Sequence, residues 1–188
     1  MRNLYPAVLL LISFIGMDVS AQSKELVKNR SNFFVSGTIG YQMSGIKDED
    51  FVRNNYSPML KMTGGMWFSP LLALEIGYRG FYFNTIENSD RRYYNYFYGS
   101  TIFDLLNIID SNQDSDLKLY LKIGSGYFYN FYYNQPNIIA SFEFAGLIKL
   151  NEQLNLQIEA SSLMGWDIYQ GDEDILPSIS AGFLYKWN

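Results

Sequence analysis

The stretch Leu117–Asn130, which reads LKLYLKIGSGYFYN, decides the fold of this chain. Large apolar side chains occupy every second position through most of it, and lysines or glycines stand between many of them. Because successive side chains of a β-strand point to opposite faces, this period of two predicts a strand with one apolar and one polar face. The run is longer than the ~5–6 residues of an average strand and covers the ~9–11 residues that a tilted strand needs to cross a bilayer.

The same alternation recurs along the chain. Further strands are predicted at Phe33–Gln42, Pro58–Phe68, Leu72–Phe83, Tyr94–Leu106, Ile138–Leu150, Leu154–Trp166 and Pro177–Trp187. So much strand is unusual for a soluble domain and is expected of a sheet closed into a barrel with short connections. The sequence therefore predicts an all-β, eight-stranded, antiparallel up-and-down transmembrane β-barrel over residues 33–188.

The composition excludes several classes of function. The 188 residues include 16 Tyr, 14 Phe and 3 Trp, but no Cys and no His, and the net charge is −5. A chain without Cys has no disulfide scaffold and no thiol nucleophile, and a chain without His lacks the commonest general base and nitrogen metal ligand. The acidic balance also disfavours nucleic acid. We expect no enzymatic activity, no metal and no cofactor.

The first 32 residues are expected to lie outside the barrel. Residues 1–21 have the pattern of a secretory signal peptide, with an apolar stretch at Ala7–Gly16 that is too short to span ~30 Å of hydrocarbon as a helix. Small residues precede the predicted cleavage site between Ala21 and Gln22. Residues 22–32 form a short polar lead. The chain is therefore predicted to be exported.

A soluble barrel and a membrane barrel differ in which face points outward. A soluble ligand-binding barrel places its apolar face inside, whereas a membrane barrel turns that face to lipid. Here the apolar set is bulky on every strand and would overfill an eight-stranded lumen, while the opposite set is rich in Gly, Ser, Thr and Ala. This asymmetry favours the membrane barrel, and a soluble secreted barrel is the alternative.

The polar face also carries charges, which must be paired when they are desolvated. Glu75 and Arg79 share one face of a predicted strand, and we expect them to form a structural ion pair that fills the lumen. A pore gate or a proton-linked site is the functional alternative. The predicted lumen ion-pair residues are Lys61, Glu75, Arg79, Asp104, Lys122, Glu143, Lys149 and Glu159.

Aromatic residues gather near the strand ends, as in the girdles of membrane barrels, where amphipathic rings lie at head-group level. The runs Tyr93–Tyr98 and Phe131–Tyr133 are assigned to the outer girdle, with contact to sugars or to a host surface as the alternative. The predicted girdle residues are Phe33, Tyr41, Phe68, Tyr82, Tyr127, Tyr129, Trp166, Tyr185 and Trp187.

An even number of strands places both ends of the sheet at one mouth of the barrel. That mouth is expected to carry short turns at 69–71 and 151–153 and a longer connection at 107–116. The opposite mouth is expected to carry four outer loops, at Met43–Ser57, Asn84–Tyr93, Phe131–Asn137 and Asp167–Leu176.

Four elements carry a family resemblance through their order and spacing. They are Phe68–Arg79 (FSPLLALEIGYR), Asp104 with Asn107, Gly124–Tyr127 (GSGY) and Ala181–Trp187 (AGFLYKW). In this order they resemble the OmpA-like small outer-membrane β-barrels, in the version common among Bacteroidetes. The resemblance covers roughly residues 33–188.

The resemblance implies location in the outer membrane of a Gram-negative bacterium, contact with its lipid and insertion by the barrel-assembly machinery. That machinery reads a closing strand with an aromatic end, whereas Trp187 is penultimate here and Asn188 is last. Enzymes of this fold that act on lipid A use His with Ser, and this chain has no His. A monomer without nucleic-acid partners is expected.

The leading hypothesis is a non-enzymatic barrel with a structural or surface-interaction role, acting through four extracellular loops on an unnamed surface ligand. A narrow channel or small-solute porin is the alternative, and the packing of the lumen distinguishes the two. A soluble secreted ligand-binding barrel is a third interpretation.

Overall fold

A computed structural model describes residues 33–44, 56–84, 91–109, 115–166, 168 and 173–187. The predicted signal peptide and polar lead lie outside these residues, as do large parts of three predicted outer loops. Eight strands and one short helix make up the described chain: β1 Phe33–Met43, β2 Tyr56–Trp67, β3 Leu72–Asn84, β4 Arg91–Asp104, α1 Leu105–Ile109, β5 Leu117–Asn130, β6 Gln135–Lys149, β7 Leu154–Trp166 and β8 Glu173–Lys186.

Each strand pairs antiparallel with its neighbours in sequence, and β1 pairs with β8 to close the barrel. Tyr185 of β8, for example, lies opposite both Val35 of β1 and Leu154 of β7. Closure leaves no strand with a free edge. A sheet that crosses lipid must meet this condition, because unpaired backbone groups are costly in hydrocarbon. The predicted eight-stranded antiparallel up-and-down barrel is confirmed.

The two faces of the wall alternate as the sequence predicts. On β1, Phe33, Val35, Gly37, Ile39 and Tyr41 are exposed, and the residues between them are buried or partly buried. The outside of the barrel is covered by exposed Ile, Leu, Phe, Met and Tyr side chains. An apolar surface this extensive is far larger than a soluble monomer presents, and it fits contact with lipid tails. No helix among the described residues is long and apolar enough to cross a membrane.

We call the mouth at which β1 begins and β8 ends the turn end. Its tight turns are fastened by side-chain oxygens: Ser69 Oγ accepts the amides of Leu71 and Leu72 at 3.2 and 3.0 Å, and Asn151 Oδ1 accepts that of Leu154 at 2.8 Å. Such Asx and Ser turns replace backbone pairing where a strand reverses.

The third connection at the turn end differs from the prediction. The fourth strand ends at Asp104 rather than Leu106, and helix α1 follows it directly. Asp104 Oδ1 accepts the amide of Asn107 at 3.1 Å, which is the bond of a helix N-cap. The Asn107 side chain donates to the carbonyl of Pro70 at 3.1 Å and so ties the helix to the neighbouring turn.

The opposite mouth, the loop end, also departs from the prediction at β5–β6. The predicted loop Phe131–Asn137 is a turn at 131–134, because β6 already begins at Gln135. Asn134 has φ of 51°, a left-handed conformation that Asn tolerates better than most residues. Likewise, β8 begins at Glu173 and not at Pro177.

One strand residue has unusual backbone geometry. Phe81 of β3 has φ of 140° and lies opposite Met59 and Tyr94, whose side chains are buried in the lumen. The side chain of Phe81 is nevertheless 49% exposed. It lies beside Tyr82 with ring centroids 5.4 Å apart, so both aromatic side chains belong to the outer surface at the loop end.

Candidate functional site: the lumen and the loop end

Side chains fill the barrel in three layers. An aromatic-rich layer lies toward the loop end, a charged layer lies at mid-height, and a second apolar layer lies toward the turn end. The loop-end layer consists of Tyr94, Tyr96, Tyr98, Phe128, Ile139, Leu163, Ile168 and Leu176. The turn-end layer consists of Phe34, Ala73, Ile102, Tyr120, Ala145, Leu147 and Leu184, with Trp67 packed against it.

The charged layer is built from inward positions of five strands. Lys61 and Lys122 donate to Glu159 Oε1 at 2.9 and 3.0 Å. Lys61 also binds Glu143, and Lys122 lies 3.2 Å from Glu75 Oε2. All five side chains are at most 5% exposed. Each charge therefore has an opposite partner within the layer, as desolvated ions require.

Glu159 is the centre of this network. Besides the two lysines, its carboxylate accepts hydrogen bonds from Thr38 Oγ1 at 3.3 Å and Ser180 Oγ at 3.2 Å, and the Gln157 amide also donates to it. A carboxylate with this many donors is strongly fixed in place.

Arg79 lies next to Lys61 on the neighbouring strand but takes no part in an ion pair with Glu75. Its guanidinium donates to Tyr94 Oη at 3.2 Å, Gln42 Oε1 at 2.9 Å and Ser161 Oγ at 3.4 Å, all neutral groups. The expected Glu75–Arg79 pair is thus replaced by Glu75–Lys122. With Arg79 included, three cations face three carboxylates inside the barrel, so the formal charges of these lumen groups cancel.

Two further residues predicted for the lumen network lie at the turn end instead. Asp104 is buried, but its carboxylate binds Asn107 through both oxygens, at 3.1 and 2.8 Å. The Lys149 side chain is 38% exposed and forms an ion pair with Glu152 at 2.8 Å. Lys149 is the last residue of β6, where the wall meets the following turn, so its long side chain reaches solvent.

The nine residues predicted for the girdle lie near the ends of the strands, on the outward face. Exposed fractions are 62% for Tyr41 and for Trp166 and 47% for Trp187. Tyr82, Tyr129 and Tyr185 are partly buried, and Tyr185 donates through its hydroxyl to Gln153 at 3.1 Å. The rest of the set, exposed as well, is Phe33, Phe68 and Tyr127.

The run Tyr93–Tyr98 does not lie wholly in the girdle. Tyr94, Tyr96 and Tyr98 point inward and are at most 6% exposed. Tyr96 stacks on Tyr98 with ring centroids 5.0 Å apart, and Tyr94 stacks on Phe128 at 5.1 Å. The assignment of the whole run to the outer girdle is therefore wrong, because aromatic residues occupy both faces of β4.

Glycines make room for one of these rings. Tyr98 lies opposite Gly77 of β3 and Gly126 of β5, so both inward neighbours lack a side chain. A Cβ atom at Gly77 would come within 2.5 Å of the Tyr98 ring. The glycines agree with the alternation of β4, which places Tyr98 on the same inward face as Ser100 and Asp104.

Ile168, between β7 and β8, completes the loop-end layer. Its side chain is fully buried among the aromatic residues, and its carbonyl accepts a hydrogen bond from Asn130 Nδ2 at 2.8 Å. A residue outside the strands thus covers the packed side chains at the loop-end mouth.

An aromatic and cationic cluster lies on the rim of the loop end. The Arg92 guanidinium lies 3.8 Å from the centroid of Tyr132 and 5.1 Å from that of Tyr133, and it donates to Tyr133 Oη at 2.8 Å. Tyr132 is 64% exposed and Phe131 is 53% exposed. The cluster joins the start of β4 to the β5–β6 turn and presents aromatic surface to the surroundings.

Within the described ranges, no group of three or more acidic, His or Cys side chains is arranged to hold a metal ion. The lumen carboxylates are instead bonded to lysine, serine and threonine side chains.

No protein-family model matches the chain, and no curated protein sequence matches it either. Solved structures do match. Neisserial surface protein A aligns with a TM-score of 0.64 and 12% identity. The alignment covers 85% of this chain and 100% of that protein. The chain has the fold of a small outer-membrane β-barrel.

Two other solved structures agree. The outer membrane protein OprG from Pseudomonas aeruginosa aligns with a TM-score of 0.53 and 11% identity, over 85% of this chain and 97% of its own. Ail from Yersinia pestis, in a phospholipid bilayer nanodisc, aligns with a TM-score of 0.50 and 9% identity. The alignment covers 84% of this chain and 99% of Ail. Identities this low relate the folds alone.

Proposed function

We propose that this chain is an exported, non-enzymatic outer-membrane barrel of a Gram-negative bacterium, and that it acts through its loop end rather than through its lumen. One observation carries this proposal: three successive layers of packed side chains occupy the lumen, and the charges of the middle layer are paired with one another. A solute path would require these layers to be displaced.

The surface role is supported by what the loop end presents. Exposed Tyr132 lies beside Arg92 and follows exposed Phe131 in the chain, and large aromatic side chains with arginine are the residue types most often dominant in binding surfaces. Ail, described as the attachment invasion locus protein of Yersinia pestis, has the same fold. We extend this attachment role to the present chain as part of the proposal.

The remaining elements of the proposal rest on the sequence. They are signal cleavage between Ala21 and Gln22, insertion by the barrel-assembly machinery, membership of the OmpA-like Bacteroidetes barrels, and a monomer in contact with outer-membrane lipid. The apolar exterior supports the lipid contact.

The test measures how many cells adhere to cultured epithelial monolayers when those cells display the protein on their surface. We expect adherence above that of cells without the protein, and we expect it to fall in Tyr132→Ala. The matched control is Tyr185→Ala at the turn end, which faces away from the cell exterior in this orientation. Equal adherence of displaying and non-displaying cells would contradict the surface role.

The channel alternative is tested separately by swelling of liposomes that contain the purified protein, in isotonic sugar or amino-acid solutions. We expect no swelling beyond that of empty liposomes. Solute-dependent swelling would favour the small-solute porin.

A further inference from the structure

The outward face of β3 and β4 becomes steadily more polar toward the loop end. On β4 the outward residues run from Phe97 through Asn95 and Tyr93 to Arg91, and the side chains of Phe97, Tyr93 and Arg91 are exposed. On β3, Ile76 is 75% exposed, and Tyr78 nearer the loop end donates to Asn95 Oδ1 at 2.8 Å. The apolar wall thus ends in a band of phenol and amide groups with one arginine at its edge.

The position of this arginine corresponds to lipid head groups. A strand crosses the hydrocarbon in about 9–11 residues, so a crossing counted from Phe103 at the turn end of β4 finishes near Tyr93. Arg91 is two residues further, about 6–7 Å along the strand. Its guanidinium therefore lies just outside the hydrocarbon, where a charge on a barrel wall is tolerated.

The guanidinium is held in place by an aromatic ring. The Arg91 Cζ atom lies 4.9 Å from the centroid of Tyr82, whose ring in turn contacts Tyr93 with centroids 5.8 Å apart. Within the described part of the chain, Arg91 has no carboxylate at ion-pair distance. Stacking on a ring face leaves the N–H edge of a guanidinium available to an acceptor.

We propose that Arg91, Tyr82 and Tyr93 form a binding site for the phosphate of an anionic head group, carried by a membrane lipid in the leaflet at the loop end. A guanidinium matches phosphate with paired N–H donors, and the two phenols add hydrogen-bonding groups beside it. The patch is continuous with the lipid-facing wall, where Phe97 and Ile76 contact the acyl chains of the same lipid. This continuity selects a lipid over a free phosphate ion.

The experiment uses the purified full barrel in mixed micelles that contain phosphatidylglycerol or phosphatidylcholine with the same acyl chains. Native mass spectrometry measures the lipid that remains bound. Because one arginine near an anionic lipid contributes about 1 kcal/mol, we expect about fivefold more retained phosphatidylglycerol than phosphatidylcholine. Arg91→Gln removes this preference, and Arg91→Lys, which keeps the charge without the planar donors, retains part of it.

Lys118→Gln is the control, since it removes one positive charge from the inward face at the opposite end of the barrel and leaves the preference unchanged. Folding of every variant is verified by its migration as a compact barrel in unheated gels. Equal retention of the two lipids by the unmodified protein, or an unchanged preference in Arg91→Gln, would overturn the site. Displacement of the lipid by excess soluble glycerol phosphate would overturn the assignment to a lipid.

Discussion

Lys122 of β5 and Glu159 of β7 meet inside the barrel, with the ammonium nitrogen 3.0 Å from a carboxylate oxygen. Their strands are not neighbours, because β6 lies between them. The contact passes over β6 on the lumen side, whereas the pair of Lys61 on β2 and Glu143 on β6 links opposite sides of the wall. Together with Lys61, Glu75 and Glu143, this pair forms a desolvated ionic layer at the centre of the barrel.

Removing Lys122 should destabilise the barrel strongly. Lys122→Met leaves the carboxylates of Glu75 and Glu159 without one of their cations in a buried site, a loss of about 3–5 kcal/mol in the free energy of unfolding. Urea unfolding of the protein in lipid vesicles measures it. Lys149→Met, which breaks the exposed pair with Glu152, should cost at most ~1 kcal/mol. Equal losses in the two variants would contradict the buried ionic layer.

The second prediction concerns the packing of Tyr98 against Gly77. Gly77→Ala places a Cβ atom 2.5 Å from the Tyr98 ring and should cost about 1–3 kcal/mol of unfolding free energy through overpacking. Gly146→Ala is the control, because a Cβ atom there meets nothing within 4 Å. Adding Tyr98→Leu should relieve part of the loss, which a double-mutant cycle detects. Additive losses would show that the ring does not occupy this space.

The third prediction concerns Phe144, whose side chain points out of the barrel. Its side chain is 56% exposed in the middle of β6, so Phe144→Arg places a charge against hydrocarbon and should cost about 2–4 kcal/mol. The expected readout is a reduced yield of heat-modifiable, folded barrel after insertion into vesicles. Phe144→Leu keeps an apolar side chain and should fold normally. A normal yield of the arginine variant would mean that this face does not contact lipid.

The sequence predicts the barrel well because strand alternation has a short period and recurs in every strand. The bounds of β5 and β7 follow from the pattern without error, since a polar or charged segment ends each run. A register shift of one residue would exchange the lipid-facing and the lumen-facing side chains. Alternation therefore determines which way each side chain points as well as where each strand lies.

The interior was less predictable, because partners inside a barrel depend on strand stagger and not on spacing along one strand. Glu75 and Arg79 are near in sequence, yet Glu75 binds Lys122 of β5 and Arg79 binds Gln42 of β1. Tyr96 was also misplaced, since both faces of β4 are aromatic and hydrophobicity alone does not separate them.

The proposed surface role depends on a lumen that is closed by its own side chains, and planar-bilayer recording of the purified protein tests that closure most directly. We predict no stepwise ion currents attributable to the unmodified barrel, because the two apolar layers and the paired charges between them leave no continuous aqueous path. Stable open steps with ion selectivity, which appear with the unmodified protein and vanish in protein-free bilayers, would contradict the closed lumen.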